Sequence, residues 1–128
     1  MPYYFSKVLS SGFDDAIQKV TEALKTEGFG VLSRIDVQKA MQEKMGVDFQ
    51  KYLILGACNP PFAYQALLAE DKIGTMLPCN IIVQELNEGQ IEVAAIDPVA
   101  SMQAIQNEEL ASIAIEVRDK LKAVIANL

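Results

Sequence analysis

Two cysteines are the residues of this chain best suited to chemistry: Cys58 in the run Leu55-Gly56-Ala57-Cys58-Asn59-Pro60, and Cys79 in Leu77-Pro78-Cys79-Asn80. Each sits where an apolar run meets a Pro/Asn turn signal, so Cys-Asn-Pro and Pro-Cys-Asn read as near mirror images. A thiol acts as a nucleophile or soft metal ligand in its ionised form. Cys58 lies just ahead of a helix opened by Asn59 and Pro60, where free backbone amides and the helix dipole favour that form. The competing reading is a small buried residue closing a core strand, a common use of free cysteine.

What the two thiols can do together depends on topology. In parallel neighbouring strands they lie about 20 Å apart, at opposite ends of six-residue strands; in antiparallel strands both sit at one end. The connection from Asn59 to Pro78 holds a helix and a loop, long enough to descend and return, and this favours proximity. Close thiols leave three options: a redox dithiol, a pair of metal ligands, or two groups lining a ligand cleft. The redox reading lacks the Cys-X-X-Cys spacing of thioredoxin-like sites. A metal would need further ligands from Asp97, Glu85 or a methionine, whereas structural zinc takes four Cys or His, so no metal is expected. The cleft reading is preferred, with Cys58, Asn59, Cys79, Asn80 and Asp97 as candidate ligand-binding residues. The plainer roles of the two asparagines and of Asp97 are caps and turns. Nothing in these residues specifies a cofactor, and whether any reaction is catalysed stays open.

The chain has no histidine, which removes the commonest general base and every Ser-His or Cys-His nucleophile. With 17 acidic against 11 basic residues its field repels phosphate backbones and anionic lipid, so neither nucleic acid nor membrane is an expected partner. The apolar runs fall well short of the roughly 20 residues needed to span a bilayer. The amino terminus lacks the basic head and apolar middle of a signal peptide, and a soluble cytoplasmic protein is expected.

At 128 residues the chain is expected to form one domain, 1–128. A first strand is read over 3–9. A helix over 12–28 follows, with Ser11 and Asp14 as a capping box and Gly28 as its stop. Gly30–Asp36 reads as a strand with Val31, Ser33 and Ile35 on one side; Asp36 then caps a short helix ending at Gly46. The run 51–58 reads as a strand buried on both faces in the middle of the sheet. The helix opened by Pro60 runs to about Glu70, and 73–78 reads as a loop. Strands over 79–86 and 90–96 flank the turn Asn87-Glu88-Gly89, the signal of a hairpin. After a helical turn or two, a long helix over 107–126 carries Leu110, Ile113, Ala114, Val117, Leu121 and Val124 as one stripe.

The order β-α-β-α-β-α-β-β-α breaks strict alternation, and the fold class expected is α+β: a five-stranded, mainly antiparallel sheet with helices on one face. Leu55-Gly56-Ala57-Cys58-Asn59-Pro60, Ala66-Leu67-Leu68, Leu77-Pro78-Cys79-Asn80 and the hairpin closing on Asp97-Pro98 together resemble the bacterial and archaeal family called domain of unknown function number 302. That resemblance implies a fold similar to that of TATA-binding protein, with the two cysteine strands antiparallel.

Small-ligand binding in a cleft near Cys58 and Cys79 is therefore the leading reading. A thiol-dependent or redox enzyme and a structural or partner-binding protein are the alternatives. The mean hydropathy of +0.17 and strands apolar on both faces point to a homodimer or other small oligomer.

Overall fold

The alternating apolar patterns resolve, in a computed structural model that describes residues 2–128, into one antiparallel sheet carrying helices. Strand β1 (Tyr4–Leu9) leads into α1 (Phe13–Thr26), β2 (Gly30–Asp36) into α2 (Val37–Met45), and β3 (Tyr52–Cys58) into α3 (Pro60–Ala69). A 3-10 segment, Asp71–Met76, precedes the hairpin of β4 (Cys79–Asn87) and β5 (Gln90–Ile96). The short α4 (Pro98–Ser101) comes before the long α5 (Glu108–Ala126). The sheet order is β1-β5-β4-β3-β2, with every neighbouring pair antiparallel. This is the α+β architecture that the hairpin signal implies. The central strand is β4; β3 is the next one out, interior as its apolar run requires. Among the described residues no helix is long and apolar enough to cross a membrane.

Helices α1 and α5 cover one face. Val20 and Leu24 of α1 and Leu121 and Val124 of α5 meet Leu55, Ile81, Val83, Ile91 and Val93 in one buried cluster. The strand contribution recurs every second residue, as a pleated strand with one face on the core demands. The intervening side chains, such as Ile54, Ile82, Gln84 and Glu92, turn to the other face and are half-buried.

Five local readings are revised. The capping box at Ser11 and Asp14 does not form: Gly12 holds the N-cap position without a side-chain cap, and the Ser11 hydroxyl donates to the Gly12 carbonyl. Ser11 lies one residue too early to reach the first free amides. In β2, Val31 faces Ala57 while Ser33 faces Gly56, so Leu32 is the extra residue of a bulge. Val31 therefore packs on the core, away from Ser33 and Ile35, and Leu32 is 70% exposed. The stretch after α3 is helical over Asp71–Met76 because Ile73 is drawn to full burial. In β3 burial is complete only at Leu53 and from Leu55 to Ala57; Tyr52, Ile54 and Cys58 are half-buried. The hairpin is tighter than read, with Asn87 opposite Gln90 and Gly89 supplying the positive φ of 81°.

Backbone room is scarcest at Gly56. A Cβ there would strike the Ser33 hydroxyl and lie 2.7 Å from Cγ of Pro78. The hydroxyl can rotate aside, but the proline ring cannot. Gly56→Ala is expected to lower stability by about 1–3 kcal/mol, measured from the urea midpoint. An unchanged midpoint would show that the Pro78 segment yields freely.

Candidate functional site

Because β3 and β4 are antiparallel with Ala57 opposite Cys79, the end of β3 and the start of β4 share one edge of the sheet. Cys58 and Cys79 are both free thiols, the first half-buried and the second buried. Both line a single cavity of about 270 Å³. Strand residues Ala57 and Cys79 form its floor, Phe62, Ala63 and Ala66 of α3 one wall, and Ile113, Ala114 and Val117 of α5 the other. Pro78, Pro98 and Met102 line a further side, and the cavity stays partly open. The space exists because α3 and α5 face each other partly through alanines: Ala66 and Ala114 are each 3% exposed, yet neither reaches across.

The lining is almost wholly apolar. Among the described residues that line it, Asn59 is the one polar residue apart from the thiols, and no charged side chain contributes. Burial, and secondarily the neighbouring Cys58, push the Cys79 thiol up from 9.0 to about 11. Cys79 is thus a neutral S–H at physiological pH, unsuited to nucleophilic attack or to metal binding as a thiolate. Among the described residues no three Cys, Asp or Glu side chains are grouped to hold a metal ion.

Of the five residues singled out in the sequence, the structure brings three together. Asn59 sits at the N-cap position of α3 without capping it; its Nδ2 donates to the Glu27 carbonyl at 3.1 Å, tying the end of α1 to the start of α3. Gly28 leaves room for that amide, since a Cβ there would lie 3.2 Å from Nδ2. Asn80 points away, exposed on the other face of the sheet beside Tyr4 and Ile82. Asp97 is a cap: its Oδ1 accepts from the Val99 amide at 2.9 Å. Its neighbour Pro98 lines the cavity instead. The wall from α5 reads in the sequence as an ordinary core stripe. The available signal was the absence of any charge from Pro60 to Ala69, unusual for a helix in which only Ala66 is buried.

With this geometry in view, the sequence family can be assigned. The family described as domain of unknown function DUF302 matches residues 5–128. The chain belongs to the DUF302 family. It is similar to the crystal structure of an uncharacterized conserved DUF302 protein from Bacillus stearothermophilus, at 30% identity over 99% of this chain and 98% of that one, with a TM-score of 0.90. No curated protein matches the chain. The DUF302 name carries no activity, so a function for this member has to be argued from the cavity.

The raised Cys79 pKa makes a pH prediction. Folded and unfolded chains both hold this proton below pH 9, where its contribution to stability is complete. Above that the unfolded thiol ionises first, and stability falls as pH rises towards 11. The loss through this group is about 2–3 kcal/mol. Cys79→Ala is expected to flatten the stability profile between pH 9 and 11 relative to the native chain; equal slopes would contradict the assignment.

Proposed function

We propose that this chain, as one domain over residues 1–128, binds a small, neutral, largely apolar molecule in the cavity beside Cys58 and Cys79. The observation that carries this reading is a partly open cavity of about 270 Å³ without a charged lining residue among the described residues. Dry apolar cavities of about 150 Å³ take a benzene ring, and this larger volume suits a bicyclic aromatic or a compact chain of about ten carbons. An anion is disfavoured because no lysine or arginine of the lining could balance it. The two thiols and Asn59 offer a weakly polar corner for one hydroxyl or N–H. Unpaired thiols suit a cytoplasmic setting, and the acidic balance argues against nucleic acid as a partner. The apolar excess is the ground for reading the protein as a homodimer.

One observation favours a second reading, a thiol-dependent enzyme. Cys58 directly precedes the N-cap residue of α3, where helix amides converge. Under that reading Cys58 alone is the nucleophile and Cys79 stays protonated beside it.

Indole, bicyclic with a single donor, is the probe that tests the proposal. Titration is expected to shift the NMR signals of Ala66 and Ala114. Ala114→Phe, which fills the cavity, is expected to weaken binding at least tenfold without lowering stability. Cys58→Ser is expected to bind indole as the native chain does. Undiminished binding by Ala114→Phe would contradict the cavity, and turnover of an electrophile that Cys58→Ser abolishes would favour the enzyme.

A further inference from the structure

The sheet face turned away from α1 and α5 is built unlike a solvated one. Its middle row, read across the strands by register, is Ile35, Ile54, Ile82, Ala94 and Ser6. An antiparallel sheet with one face in water ordinarily alternates apolar-in with polar-out. Here the outward set is apolar along its centre, in a chain where 22% of residues are charged. Glu92 is the one charged side chain that the register puts on this face among the described residues, and its Oε1 already accepts from Nε2 of Gln84 at 2.8 Å. Depletion of charge about an apolar centre is the compositional mark of an interface core.

We infer that this face is where a second copy of the chain docks, sheet against sheet about a two-fold axis. The inference rests on the homodimer reading above and assigns its surface. The face exposes large apolar side chains: Tyr3, Tyr4, Val8 and Ile35 are 64%, 41%, 52% and 52% exposed. The half-buried side chains between them add to the surface available for an interface that ordinarily takes about 800 Å² from each partner. Its pattern is also self-complementary. An axis laid along the isoleucine row exchanges residues two places either side of it in each strand. In β4 this sets Asn80 opposite Gln84 of the other copy, a carboxamide pair able to hydrogen-bond. In β5 it sets Glu92 opposite Ile96, so the two copies of the one carboxylate do not meet. Among the described residues a nucleic acid would find no lysine or arginine that the register puts on this face, while a second copy of a chain with net charge −6 meets a surface carrying a single carboxylate.

A competing apolar patch lies about α3, where Leu67 is 43% exposed. Leu32, Tyr64 and Leu68 surround α3 at 70%, 66% and 71% exposure, and they supply the control. Sedimentation velocity at micromolar concentration is expected to give a dimer for the native chain and for Leu68→Lys. It is expected to give monomers, with the dimer Kd raised at least 100-fold, for Ile82→Lys and Ser6→Arg. Ser6 is exposed in the free chain, so Ser6→Arg carries the test if Ile82→Lys fails to fold. A dimer that survives Ser6→Arg but dissociates in Leu68→Lys would leave the homodimer standing and overturn this surface. A native chain that stays monomeric would overturn both.

Discussion

The register between β3 and β4 is the constraint on which the site depends. With Ala57 opposite Cys79, both residues point to the helix face, and the chain entering α3 leaves the sheet beside the chain returning into β4. A slip of one residue would turn Cys79 to the other face and put Asn80 in its place, since the side-chain period of a strand is two. Gly56 opposes such adjustment, because the Ser33 hydroxyl and the Pro78 ring already occupy the space a side chain would need. The thiols are thus brought together by strand pairing and by close packing against one glycine, with no covalent link between them.

Around that pairing, the cavity follows from the choice of small residues where two helices meet. Leu110, Ile113 and Val117 continue the stripe that anchors α5 on the sheet, but Ala114 interrupts it opposite Ala63 and Ala66 of α3. Larger residues at these positions would close the gap and gain the contacts that a void forfeits. Asn59 fixes α3 from the other side through the Glu27 carbonyl, so the helix that forms one wall is tied to the end of α1. The same apolar surroundings that suit a neutral ligand keep Cys79 protonated.

Much of this was legible in the sequence. The hairpin at Glu88-Gly89 gave away the antiparallel sheet, and the turn signals after Cys58 and before Cys79 correctly marked two strand ends at one edge. Asp97 and Asn107 cap helices, as their placement ahead of Pro98 and Glu108 implies. The roles of Asn59 and Asn80 were not legible, because a turn asparagine shows neither which face it takes nor which distant carbonyl it meets. Glu27 is thirty-two positions from Asn59. The bulge at Leu32 escaped notice because alternation over five residues reads the same with or without one extra residue until the partner strand is known. The cavity itself was invisible, since an alanine facing a void and an alanine under a close-packed neighbour have the same pattern.

The central claim is that an apolar cavity adjoins the two thiols, and xenon tests it most directly because it enters such space without specific contacts. A crystal of the protein pressurised with xenon is expected to show the gas bound between Cys79, Ala66 and Ala114. Ordered water hydrogen-bonded there, or side chains closed over the site with no xenon present, would contradict the account.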